Sequence, residues 1–320
     1  MGNRQRGIFL VLLAAGLWGT LGTFYRFGTE QFHLTPLAIV FWRGGLAALA
    51  LGLVMGIILP LGAGRRGLLR VRRADLPMFL AFGLLGVTAF YPLYIYSVLL
   101  VGVAVAVVLL YTAPIIVAVL AWRFLGESFD RRKLAALLLT FLGVLLMSRA
   151  YDPALLGVNA LGVLCGLGSA FAYALYSILG KVSLNRGYGV ATTSFYIYSI
   201  GVLGLLALAF VTGLDQRFVR GDNPDAWTGL DQLLVRGDNP GAWGLLLVLA
   251  LVQTLGAVAA YVTGLRYLDA GVASILATFE PVVATMLAFF VLHEAIDWPQ
   301  MLGGLLVIAA VFLLQWRGRT

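Results

Sequence analysis

The chain has 320 residues, of which 61% are apolar and 11% charged, with a mean hydropathy of +0.97 and a formal charge of +8. Soluble domains are about half apolar, so this composition excludes a soluble globular protein and defines an integral membrane one. A single cysteine, Cys165, excludes an internal disulfide, and two histidines at span ends, His33 and His293, argue against a metal site.

Crossing a hydrocarbon core takes roughly 20 residues of helix. Lipid offers the backbone no hydrogen bonds, so spans are helices or strands of a closed barrel. The apolar runs here are continuous and lack the alternation of a barrel strand, which makes the protein all-α. In chain order the spans are predicted over residues 8–25, 36–59, 76–99, 103–123, 133–150, 160–180, 191–212, 244–265, 270–292 and 299–316. The first follows Arg4 and Arg6 as a secretory leader would, but it continues to Tyr25 without a cleavage site and is taken as a span. Between the seventh and eighth lies a local duplication. Thr212–Trp227 and Thr228–Trp243 agree at thirteen of sixteen positions, each with a Gly-Asp-Asn-Pro turn.

Arginine and lysine in the connections set orientation. With the N-terminus in the cytoplasm sixteen fall inside and five outside, the densest cluster being Gly64–Arg73 between spans two and three. Both termini are therefore expected to be cytoplasmic. The positive charge is a topology signal, with no nucleic-acid partner implied, and membrane lipid is the expected surroundings.

One apolar segment is written twice. Laying Pro281 on Pro114, an offset of 167, also places Glu294 on Glu127 and Asp297 on Asp130. Span one aligns with span six at an offset of 155, Trp18 on Tyr173 and Arg26 on Lys181; the extra residues fall in the duplicated loop. Five helices are thus followed by five more. Because five is odd, the second set enters the membrane from the opposite side. Inverted repeats of this kind mark alternating-access transporters. The expected organisation is a first five-helix repeat over 1–150 and a second, inverted one over 151–320, with the duplicated loop 212–243 inside it.

GLWGTLGTFYRFG at 16–28, LAIVFWRGGLAALAL after Pro36, VAVAVVLLYTAPIIVAVLAWRFLGE and ASILATFEPVVATMLAFFVLHE, in that order, resemble the EamA-type branch of the drug/metabolite transporter superfamily, and within it the aromatic amino acid exporters. The resemblance covers nearly the whole chain. It implies ten transmembrane helices around a central cavity, with spans five and ten outside it, and export of small metabolites such as amino acids without ATP. The chain itself has no GxxxxGK[ST] phosphate loop.

Arg43 and Glu280 are the ionisable residues farthest from span ends, and Glu280 stands where the first repeat has Ala113. A charge at bilayer depth costs roughly 3 kcal/mol even on lenient scales, so it faces a partner or a cavity. Either the two hold helices together, or Arg43 receives a substrate carboxylate while Glu280 receives an ammonium or carries a proton. Pro92, Pro114 and Pro281 are candidate kinks or gates, since each removes a backbone donor. Trp18, Tyr91, Tyr94, Tyr111, Tyr173 and Tyr176 are candidates to line a cavity for aromatic or apolar side chains, against the alternative of interfacial belts. Thr20, Gln253 and Thr278 supply hydrogen bonds there, or join helices. Gly52-x-x-x-Gly56 and Gly162-x-x-x-Gly166 allow close packing, and Gly303-Gly304 suits either span five or a second subunit.

The function expected is secondary transport of aromatic or hydrophobic amino acids, or related small metabolites, out of the cell across a bacterial inner membrane. The competing class is a channel-like facilitator or membrane scaffold. No nucleophile, base and metal-ligand set is present for an enzyme, and no cofactor is implied.

Overall fold

The computed structural model describes residues 2–58, 69–153, 159–212, 233, 235 and 239–315. Among these the regular elements are all helical, and eight helical stretches are long and apolar enough to cross a membrane. The first is α1 (Asn3–Gly19) and α2 (Leu21–Phe32), joined at Thr20, whose hydroxyl donates to the Leu17 carbonyl at 2.7 Å. Next, α3 (Pro36–Leu53) runs into a π-helical turn at Val54–Ile58. The third stretch holds α4 (Leu76–Gly83), a π segment at Leu84–Ala89, α5 (Phe90–Leu110) and α6 (Ala113–Leu125).

That third stretch is 53 residues long, about 80 Å if straight and more than twice the hydrocarbon thickness. It is not straight. Gly102 has φ 79° and ψ 162°, a conformation only glycine takes without strain, and it interrupts the helix where the sequence places the junction of spans three and four.

The remaining elements are α7 (Arg131–Met147), α8 (Ala160–Asn185), α9 (Val190–Thr212), α10 (Pro240–Val248), a π segment at Leu249–Gly256, α11 (Ala257–Gly264), α12 (Ala270–Ala277), α13 (Glu280–Leu292) and α14 (Trp298–Gln315). At 17 residues α7 is shorter than the eight crossing stretches. Of the duplicated segment 212–243 only Thr212, residues 233 and 235 and residues 239–243 are described, so most of it lies outside the described residues. Where it is seen, it is tied down: Trp42 Nε1 donates to the Leu233 carbonyl at 2.6 Å, and the Trp42 and Trp243 rings meet edge-on at 4.8 Å.

Helix ends follow local chemistry. Thr35, Asp130 and Asn159 accept first-turn N–H groups at 3.0, 2.8 and 3.1 Å, and Asn239 caps α10. His33, Gly126 and His293 close α2, α6 and α13 in the left-handed conformation. Both histidines therefore have a backbone duty. The three prolines expected to kink helices lie in first turns: Pro114 and Pro281 near the starts of α6 and α13, and Pro92 just after the Leu84–Ala89 π segment. At Pro114 and Pro281 the missing donor costs little because a helix ends and another begins before each, whereas Pro92 sits within a continuous helical stretch.

Interior and exterior are both apolar but differ in size. Ala14, Ala38, Ala47, Ala174, Ala250 and Ala273 are fully buried, whereas Phe124, Phe210 and Phe312 stand out towards the surroundings. Small residues between helices and large ones outside is the pattern expected in lipid, where close contact rather than water exclusion drives packing. Helix α7 packs along α14, with Gly143 on Gly303; a Cβ on Gly303 would come within 2.5 Å of the Gly143 carbonyl oxygen. This settles Gly303 onto the fifth predicted span, while a Cβ on Gly304 would meet nothing within 4 Å. Gly162 and Gly166 likewise press on Leu100, Val101 and Leu109 of the same chain.

Element bounds recur along the chain. Adding 167 to the bounds of α6 gives those of α13, the left-handed Gly126 becomes the left-handed His293, and the start of α7 becomes the start of α14. The π segment Leu84–Ala89 moves onto the π segment Leu249–Gly256.

Gly303→Leu is expected to cost about 1–3 kcal/mol through overpacking, and Gly304→Leu almost nothing. Thermal unfolding of the two detergent-solubilised variants tests the contrast.

Candidate functional site

Helix α3 carries Arg43 on its buried face, 4% exposed. Its Nη2 donates to the Tyr91 hydroxyl on α5, and its Nη1 donates to Thr254 Oγ1 at 3.3 Å in the π segment Leu249–Gly256. The guanidinium lies 5.1 Å from the centroid of the Tyr91 ring, a cation–π contact. Tyr25 of α2 and Tyr198 of α9 stand close by. Five elements thus converge on one cation.

What is missing there is a carboxylate. Ion pairs form elsewhere, between Arg26 and Glu30 and Glu294, Lys133 and Glu127 and Asp269, Arg149 and Asp297, and Arg186 and Asp75. Arg43 is in none, and its buried Nε has no hydrogen-bond partner. Phenol and hydroxyl oxygens solvate the guanidinium without neutralising it.

Glu280 opens α13 and is half-buried. The Tyr111 hydroxyl lies beside its carboxylate, with Tyr94 and Tyr173 nearby. Its backbone is set by Gly19 of α1, where an added Cβ would come within 2.7 Å of the Glu280 carbonyl oxygen. Arg43 and Glu280 feel each other's charge but form no ion pair, while Arg43 joins its own helix to those of Tyr91 and Thr254.

An aromatic array joins the two. Phe90 contacts Tyr91 at 4.7 Å on the Arg43 side, and on the Glu280 side it stacks with Tyr94 at 6.4 Å and touches Tyr173 at 6.1 Å. Tyr173 stacks on Tyr176 at 6.4 Å, and Trp18 packs on Tyr261 at 5.3 Å. The Tyr261 hydroxyl is held at 2.9 Å by Ser177. The buried Tyr176 hydroxyl has no well-directed partner, although Tyr198 lies beside it. Gln253 donates to Thr20 at 3.3 Å and leaves its buried Oε1 without a partner.

Of the residues singled out from sequence, Trp18, Tyr91, Tyr94, Tyr111, Tyr173, Tyr176, Arg43 and Glu280 sit in this connected region. Thr20 and Gln253 pair with each other beside it. Thr278 is bonded back to the Ile275 carbonyl at 2.5 Å and serves its own helix end. The structure adds Tyr25, Phe90, Tyr198 and Thr254 to this region. The polar pair Gln253-Thr254 inside an apolar run was the available signal for one of them, and the others look like ordinary span aromatics. Among the described residues no three His, Cys, Asp or Glu side chains converge as metal ligands would.

A bundle of long apolar helices around an uncompensated buried cation is a multi-pass membrane protein built to handle small molecules. The EamA-like transporter family matches residues 5–149 and 160–316, and the chain belongs to it. These are transporters, not enzymes. The chain is 25% identical over 322 residues to the uncharacterized inner membrane transporter YicL of Salmonella typhimurium, covering 100% of this chain and 98% of that one. It is 28% identical over 311 residues to the uncharacterized transporter YwfM of Bacillus subtilis, covering 94% and 92%. A solved crystal structure superposes with a TM-score of 0.71 at 17% identity, covering 96% of each chain, a likeness of fold alone.

Tyr91→Phe removes a hydrogen bond to a buried charge and keeps the ring beneath it. It should lower stability by about 1.5–3 kcal/mol, measurable as a fall in the unfolding temperature in detergent.

Proposed function

We propose that this protein exports aromatic or hydrophobic amino acids, or closely related small metabolites, by alternating access of two inverted five-helix repeats, residues 1–150 and 151–320. The observation that carries the substrate class is the Arg43 guanidinium, buried, ringed by hydroxyls and lacking a counter-ion. A buried charge left unpaired by its own protein is expensive, and a substrate carboxylate is the group that completes it, through the bidentate geometry guanidinium favours. Glu280, beside Tyr111, offers the opposite charge for an α-ammonium. Phe90, Tyr94, Tyr173 and Tyr176 between them form a face on which an aromatic or apolar side chain stacks.

Two inverted repeats and ten crossings are supported by the bounds that recur at 167 residues and by the break at Gly102 inside the 53-residue stretch. With α7 counted, that break makes ten crossings of the eight long stretches. An odd number of crossings per repeat inverts the second copy. The arginine distribution supports cytoplasmic termini in a bacterial inner membrane, and the name of the Salmonella relative agrees with that membrane.

The test is counterflow in liposomes preloaded with labelled phenylalanine or leucine. Arg43→Ala should raise the KM at least about thirtyfold, the effect of truncating one partner of a buried charge pair. Glu280→Gln, which keeps an acceptor for Tyr111 but loses the charge, should slow transport about tenfold. Unchanged flux in both variants would overturn the site, and the absence of saturable flux would overturn the transport of amino acids.

A further inference from the structure

The two mouths of the bundle are built from the same parts in different states. At one, α12 is buried along its whole length and packs on α6, with Gly271 against Ala118. The Glu127 carboxylate caps α12 by accepting the Ala270 and Gly271 N–H groups at 2.6 and 3.1 Å. Lys133 ties Asp269 to this corner at 2.8 Å, and Lys181 donates to the Leu265 carbonyl and, at 2.6 Å, to that of Leu268. This mouth is shut.

Shifting those residues by the repeat offset gives the other mouth. Ala270 corresponds to Val103, which is 61% exposed where Ala270 is 0%. Glu127 corresponds to Glu294 and Lys181 to Arg26. These two pair with each other at 2.8 Å, exposed, with Glu30 as a third partner. Val117, Ala118, Ala121, Glu127 and Lys133 on this side, of which Ala118, Glu127 and Lys133 meet α12 or its cap residue Asp269, correspond to Ala284, Thr285, Ala288, Glu294 and Gln300. Those five line a pocket of about 230 Å³. The groove filled in one copy is empty in the other.

We infer that Glu294 and Arg26 are the gate of the open mouth: when the protein reverses, the segment that begins at Val103 enters this pocket, and Glu294 exchanges Arg26 for the backbone N–H groups of Val103 and Ala104. Arg26 then takes the carbonyls of Val98 and Val101, as Lys181 takes those of Leu265 and Leu268. The charge at a helix N-terminus stabilises the closed mouth, and the exposed Arg26–Glu294 pair, weak in water, holds the open one without locking it. The inference rests on the repeat reading above but not on the substrate.

Disulfide trapping tests it. The ideal Cβ of Gly271 lies 3.7 Å from that of Ala118, near the roughly 3.8 Å of a disulfide. On a Cys165→Ser background in proteoliposomes, Ala118→Cys with Gly271→Cys should cross-link at rest under copper phenanthroline. The counterpart pair, Ala104→Cys with Thr285→Cys, should cross-link only as the open mouth closes. Adding Glu294→Gln should slow the second reaction about tenfold, the loss of one charged cap, and leave the first unchanged. If the second pair fails to cross-link in a protein that transports, or if Glu294→Gln leaves its rate unaltered, the gate is overturned. Cross-linking that depends on Glu294 in a protein that moves neither phenylalanine nor leucine upholds the gate and sinks the substrate reading alone.

Discussion

The structure turns on a guanidinium placed where lipid cannot screen it. Four elements are held in register with α3 because each delivers a neutral oxygen to Arg43 or stands against it, from Tyr25 on α2 to Tyr198 on α9. An aspartate in any of these positions would give a tighter lock. None of these positions holds a carboxylate. The bundle therefore accepts an unneutralised charge at its centre and offsets the cost with hydroxyl dipoles and a π face.

Around that centre the packing follows the rule of a solvent without water. Alanine and glycine let backbones touch at Gly143 with Gly303 and at Gly19 with Glu280, while phenylalanine and leucine point outwards. Close contact between backbones makes each interface short-ranged and steep, with stable positions at contact or well apart. The same parts docked at α12 and undocked at Val103 illustrate both positions.

Much of this was legible in the residues themselves. The match of Glu127 to Glu294 and the odd carboxylate at Glu280 come from comparing two stretches of one chain, and Arg43 stands out because charge inside an apolar run is rare. The prolines were legible as interruptions but not as first-turn residues, since that depends on where the preceding helix stops at Leu110 and Ala277. Tyr25, Tyr198 and Thr254 were not legible as guanidinium partners. Their selection depends on helix rotation and on π turns, which leave no periodic mark in a uniformly apolar run. The choice between two partners for Gly303 needed the contact with Gly143, because a glycine pair fits any close neighbour equally well.

The π segment Leu249–Gly256 bears on the centre in another way. A π turn holds more residues than an α turn, so it is slack wound into a helix. Taking up one residue of that slack would rotate everything beyond it by roughly 100°, enough to carry Thr254 off Arg43 and Gln253 off Thr20. The winding of one helix thus bears on which oxygens the central cation meets, and a local change of pitch there would alter that shell from the side opposite α3.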